Sequence, residues 1–170
     1  MSPILTDRSF DVISHNPAQT CKIGDLLGEI LKPGDVVCLQ GDLGTGKTCL
    51  TKGIGAGLDV EGIISSPTFV FVNEYPPTRE GPHLYHVDLY RIQDYADVIS
   101  LGLEDYIYSD GVTVIEWAER AMEMMPKECL WITLSYADHT KRMLLFEAKG
   151  EYYIELLQTL RETIYGPKRK

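Results

Sequence analysis

Apolar side chains at Ile23, Leu26, Leu27, Ile30 and Leu31 follow the spacing of one helical stripe. Asn16 before Pro17 supplies a capping residue and a proline suited to the first helical position, and Pro33-Gly34 ends the element. Residues 36–39, Val-Val-Cys-Leu, form a short unbroken apolar run of the kind found in strands buried on both faces. A glycine-rich stretch follows, then a helix-compatible segment to about Leu58. Residues 69–72 and 84–87 read as strands, joined by a turn-rich stretch at 76–82 that predicts a hairpin with a long exposed tip. A helical patch is expected at Tyr95–Leu101 and a β-branched strand at 112–115. A strand pair follows at 130–134 and 143–146, and a closing helix carries Tyr153, Leu157, Leu160 and Ile164. Strands interleaved with helices, plus two hairpins, predict an α/β fold with a mixed parallel and antiparallel central sheet.

With 170 residues, the chain is expected to form a single domain over residues 1–165, followed by a basic tail at 166–170. No apolar run approaches a membrane span and the polar start is unlike a signal peptide, so a cytoplasmic protein without membrane contact is expected. The 25 acids against 16 bases give a net charge of −9, the wrong sign for a surface that grips a phosphate backbone. Any nucleic-acid role is therefore expected to be indirect. The four cysteines show no CxxC pair, and Cys38 and Cys129 lie in apolar runs, which predicts buried structural thiols. His83 and His86 form an HxxH pair, but in an extended segment that spacing turns the rings to opposite faces, against a metal site.

The chemistry concentrates in Gly41-Asp42-Leu43-Gly44-Thr45-Gly46-Lys47-Thr48, a P-loop pattern between a buried strand and a helix. Glycines let the backbone wrap a phosphate closely with several N–H groups pointing inward. The following helix adds the positive end of its dipole. Lys47 brings a mobile charge to the β- and γ-phosphates, and the Thr48 hydroxyl suits Mg²⁺. Such a loop also needs an acid at the end of a neighbouring strand. Glu116 and Asp88 each end an apolar run; Glu116 is assigned to the metal and Asp88 to positioning or deprotonating the attacking water. Between the loop helix and the next strand, Ser66 or Thr68 is placed to reach the γ-phosphate and metal.

GDLGTGKT at 41–48 is followed by SPTF at 66–69, NEY at 73–75, HVDLYR at 86–91 and IEW at 115–117. In order and spacing, these blocks resemble the TsaE (YjeE) family, the bacterial ATPase of tRNA threonylcarbamoyladenosine biosynthesis. The resemblance covers about residues 15–148 and implies a P-loop NTPase-like three-layer sandwich that takes ATP and Mg²⁺. It further implies service to a TsaD–TsaB heterodimer that modifies position 37 of tRNA, with tRNA met only through those partners. By the same resemblance, residues 42–47 bind phosphates and Thr48 and Glu116 hold the metal. Asp88 serves hydrolysis, Trp117 sits beside the site, Thr20 lies near the nucleotide, and either Lys141 or Arg142 supplies a basic group there. Thr45 and Cys49 stand where alanine and threonine are more usual; both are small, so altered affinity at most is expected. The alternative is a small-molecule kinase with Asp88 as base, although only Arg79, Arg91 and Arg120 lie between Lys52 and Arg120 to furnish a cationic lid. A GTP switch lacks the Asn-Lys-x-Asp signature, and a degenerate binding module sits badly with Lys47, Thr48, Asp88 and Glu116 together.

Overall fold

The computed structural model of the protein describes residues 6–67 and 71–166. Seven strands form one sheet: β1 (Ser9–Ser14), β2 (Val36–Gln40), β3 (Val72–Tyr75), β4 (Leu84–Asp88), β5 (Val112–Glu116), β6 (Cys129–Tyr136) and β7 (Arg142–Lys149). Their spatial order is β1-β7-β6-β2-β5-β4-β3. The central strands β6, β2, β5 and β4 pair in parallel, while β1–β7, β6–β7 and β3–β4 are antiparallel. The helices are α1 (Pro17–Ile30), α2 (Lys47–Gly57), α3 (Tyr95–Leu101), α4 (Leu103–Ile107) and α5 (Glu151–Tyr165), with a 3-10 segment at Ala118–Met124.

Alternation along the central strands sends side chains to two separate cores. Val37 and Leu39 of β2, Val112 and Val114 of β5, and Leu130 and Ile132 of β6 pack beneath α1, α2 and α5. Val36, Cys38, Ile115, Cys129 and Trp131 face the other way, against α3, α4 and the 3-10 segment. A period of two with both faces buried explains why these strands are apolar throughout. It makes the fold a three-layer α/β sandwich, and it buries the Cys38 and Cys129 thiols as expected.

Helices α1 and α2 touch backbone to backbone. A Cβ added at Gly53 would run into the Cys21 carbonyl oxygen, and one at Gly57 into that of Asp25. Gly24 and Gly28 of α1 meet α2 in the same way. Each glycine costs about 1 kcal/mol of helix propensity relative to alanine; the close approach that results locks α2 along α1. Gly53→Ala is expected to destabilise the protein by about 1–3 kcal/mol, overpacking outweighing the propensity gain. A lowered urea midpoint with an unchanged slope is the measurement that checks it.

Both edge strands depart from the sequence expectation. Strand β1 carries no apolar alternation that predicts it, because Ile13 is exposed while Ser14 is buried with Phe10 and Val12. The edge strand β3 runs over Val72–Tyr75 instead of 69–72. Only one side chain of β3, Tyr75, is fully buried, so an edge strand can carry the polar pair Asn73-Glu74 and an apolar run does not mark it. Phe69 and Val70 lie outside the described residues. The hairpin tip at 76–82 is largely exposed but tethered: Glu61 N–H donates to the Pro76 carbonyl at 2.8 Å, and Thr78 N–H to that of Asp59 at 2.9 Å. Among the described residues, no helix is long and apolar enough to cross a membrane.

Candidate nucleotide and metal site

At the C-terminal end of β2 the chain turns through residues 41–46 into α2. Gly44 and Gly46 have φ of +80° and +103°, which a side chain would strain. At Gly44 a Cβ would also lie 2.7 Å from the Tyr136 hydroxyl. The turn leaves α2 without a side-chain cap, its first helical bond running from Leu50 N–H to the Gly46 carbonyl. The N–H groups of Gly46, Lys47, Thr48 and Cys49 therefore have no acceptor within the helix, and they gather at its positive end. That arrangement suits an anion.

Lys47 is almost wholly buried, and its ammonium donates to the carbonyls of Gly41 at 2.6 Å and Asp42 at 2.9 Å. Burial pushes its pKa down, opposed by the carboxylates of Glu116, Glu119, Asp88 and Asp42. The ammonium also lies 4.2 Å from the centre of the Trp117 ring. Trp117 takes a left-handed backbone, φ +59°, at a cost of order 1–3 kcal/mol for a residue with a side chain. The ring gains Tyr90 at 5.0 Å and the Arg120 guanidinium at 5.1 Å as partners.

Thr48, in the first turn of α2, places its hydroxyl 3.0 and 3.2 Å from the two carboxylate oxygens of Glu116 and 2.9 Å from the Ser66 hydroxyl. Glu116 ends β5, and Asp88, its register partner, ends β4. Asp88 accepts from Tyr90 N–H at 2.9 Å. Burial raises its pKa and neighbouring Glu116 raises it further, against the Tyr90 hydrogen bond, His86 and Lys47. Leu43, Gly44, Gly46, Lys47, Thr48, Cys49, Ser66, Asp88, Arg91, Glu116 and Trp117 all line one open cavity of about 440 Å³.

The remaining expected residues are placed less uniformly. Thr45 is buried and donates to the Asp42 carbonyl at 2.8 Å, bracing the loop from inside. Cys49 turns its thiol to the Pro17 carbonyl at 3.1 Å, which leaves its backbone N–H as the group available to the loop. Thr20 packs its methyl behind Gly46, but its hydroxyl is 2.7 Å from that of Ser14. Arg142 reaches the Gly44 carbonyl at 3.5 Å and lies over the Tyr136 ring, whereas Lys141 turns to Asp138. Thr68 lies outside the described residues.

Two contributors are not among the residues to which the sequence assigns a role. Tyr136 donates to the Leu43 carbonyl at 2.7 Å and props the loop tip from β6. His86, fully buried, lies 3.0 Å from Glu116 Oε1 through its Nε2. His83 is exposed and pairs with Glu74, so the two histidines do part company as the extended spacing predicts.

The oxygen donors fit a hard cation. Thr48 has one proton to give and Glu116 to receive it, which leaves the Thr48 oxygen lone pairs for a metal. No cluster of three or more His, Cys, Asp or Glu residues among the described residues could hold a metal by itself. A cation here would thus be completed by ligand oxygens, as is usual for Mg²⁺.

Comparison with known proteins identifies the family. The model of the family described as "Threonylcarbamoyl adenosine biosynthesis protein TsaE" matches residues 14–144. The tRNA threonylcarbamoyladenosine biosynthesis protein TsaE of Bacillus subtilis (strain 168) is 41% identical over 146 residues, 85% of this chain and 89% of that protein. The protein of the same name from Mycobacterium bovis is 44% identical over 128 residues, 71% of this chain and 76% of its own length. A crystal structure of Bacillus subtilis YdiB superposes with a TM-score of 0.79 at 35% identity, covering 92% of this chain and 97% of that one. The fold is accordingly P-loop NTPase-like. With a family match spanning most of the chain, and the loop and acids assembled at the C-terminal ends of β2, β4 and β5, the chain belongs to the TsaE family of tRNA threonylcarbamoyladenosine biosynthesis proteins.

Proposed function

We propose that this chain is a magnesium-dependent ATP-binding and ATP-hydrolysing subunit that supports formation of N6-threonylcarbamoyladenosine at position 37 of tRNA by acting on a TsaD–TsaB complex. The observation that carries this reading is the convergence of Lys47, Thr48 and Glu116 on an uncapped helix start. Backbone N–H groups of residues 44–49 receive the phosphates, and Lys47 exchanges its two carbonyl partners for phosphate oxygens. Thr48 and Glu116 hold Mg²⁺, which when bound neutralises charge on the β- and γ-phosphates. Asp88 orients a water and takes its proton. Ser66, already 2.9 Å from Thr48, ties the 65–67 segment to the occupied state of the site, which gives partners a surface that changes with the nucleotide.

Rate in such a site comes from positioning and charge neutralisation, with little covalent chemistry for the protein to perform. Turnover by the isolated chain is therefore expected to be slow and to rise when TsaD–TsaB is added. A net charge of −9 favours docking on proteins over direct contact with tRNA, and the site of action is the cytoplasm. Phosphate release from ATP, followed with and without TsaD–TsaB and with EDTA in place of Mg²⁺, tests the reading. Loss of release in EDTA and stimulation by the partners are expected. Rapid partner-independent turnover would overturn the coupling, and turnover insensitive to EDTA would overturn the metal assignment.

A further inference from the structure

Glu116 is 2% exposed at the end of β5, and three side chains approach its carboxylate. Thr48 contacts both oxygens but has a single proton. Thr51 Oγ1 lies 3.3 Å from Oε1, yet its own proton is directed to the Lys47 carbonyl at 2.9 Å, the i−4 bond common for a helical threonine. With the one Thr48 proton shared between two carboxylate oxygens, His86 Nε2, 3.0 Å from Oε1, is the remaining buried donor to the carboxylate. A carboxylate offers only acceptors, so Nε2 carries the proton. His86 Nδ1 is buried and has no partner among the described residues. The ring thus has one polar contact, and that contact is Glu116.

The fold leaves the ring no alternative. His86 shares the face of β4 with Leu84 and Asp88 and pairs in register with Val114 of β5, two residues from Glu116 on the same face. A histidine that only filled the core would do so without its orphan nitrogen, since an unpaired buried polar atom is a penalty that an apolar side chain of similar size would avoid.

We infer that His86 is a positioning residue for the metal-binding acid: its Nε2–H engages Glu116 Oε1 and fixes the rotamer that presents Oε2, the oxygen 3.2 Å from Thr48, to the metal. This rests on the reading of Thr48 and Glu116 as the Mg²⁺ pair. Partners that orient a ligating carboxylate typically alter metal affinity 10–100-fold when removed.

The test uses ADP, so that no turnover is needed, and follows Trp117 fluorescence as Mg²⁺ is titrated into the ADP complex. His86→Met keeps the bulk without the donor and is expected to raise the Mg²⁺ midpoint about tenfold or more, with ADP binding in EDTA unchanged. His86→Gln restores an N–H and is expected to recover most of that shift. An unchanged midpoint in folded His86→Met overturns the inference, as does a His86→Gln variant displaced as far as His86→Met. So does a loss of ADP affinity in EDTA that matches the loss with Mg²⁺, which would mark general damage to the core. Nitrogen-15 NMR of the wild-type imidazole decides the matter even if His86→Met does not fold: Nε2 protonated is expected, and an unprotonated Nε2 overturns it. A wild-type ADP complex indifferent to Mg²⁺ would instead sink the metal reading itself, and this inference with it.

Discussion

Lys47→Ala is expected to weaken ATP binding about a hundredfold while leaving the fold intact. Hydrogen bonds to charged groups are each worth about 1.5–3 kcal/mol, and the ammonium can make two to phosphate oxygens. It first gives up the Gly41 and Asp42 carbonyls, which reduces the net gain to about 3 kcal/mol, or about two orders of magnitude in affinity. The loop should survive the substitution because the Asp42 carbonyl also accepts from the Thr45 hydroxyl at 2.8 Å and Thr45 N–H at 3.3 Å. Trp117 reports the event directly, since its ring lies 4.2 Å from the ammonium. Trp131, 3% exposed and bonded to Gln40 directly before the loop, is replaced by phenylalanine in the titrated protein so that Trp117 alone reports. A fluorescence titration of Lys47→Ala that overlays the wild-type curve would remove Lys47 from the phosphate site. An unchanged melting temperature in the same variant would show that any loss is local.

What the sequence made legible was whatever a short local pattern dictates. The Asn16-Pro17 start of α1 appears as read, with the Asn16 side chain accepting from Gln19 N–H. The parallel strands were visible because both of their faces are buried, and the P-loop because close phosphate approach restricts its residue types. Edge elements were not: β1 has only Phe10 and Val12 as buried apolar residues, and β3 only Tyr75, too few for a pattern. Helix α4 follows α3 after a single left-handed Gly102, a break that a helical stripe does not announce.

The site divides along the same line. Lys47, Thr48 and Glu116 are set by the loop and by strand ends, and the structure brings them together as their spacing implied. Tyr136 and His86 reach the site through long-range sheet pairing, which local sequence does not state. For His86 a clue was present in retrospect: it alternates with Leu84 and Asp88, so a polar group sat on a buried face two residues before a candidate acid.

Asp88→Asn is expected to lower ATP hydrolysis about 10²–10³-fold, within the range of a lost general base, with nucleotide binding nearly unchanged. Two carboxylates stand side by side at the ends of β4 and β5, and their surroundings separate their tasks. Glu116 is held among hydroxyl and imidazole groups, an environment suited to a fixed, charged ligand. Asp88 receives one backbone N–H, from Tyr90, and burial together with the charge of Glu116 lifts its pKa, which suits it to accept a proton. Asparagine keeps the bond to Tyr90 N–H and the shape of the side chain, so the substitution removes basicity with little else. Single-turnover hydrolysis in the presence of TsaD–TsaB, set beside a Trp117 binding titration, separates the chemical step from affinity. Wild-type turnover by Asp88→Asn would take the base role from this residue, and a parallel collapse of binding would move Asp88 from hydrolysis to holding the nucleotide.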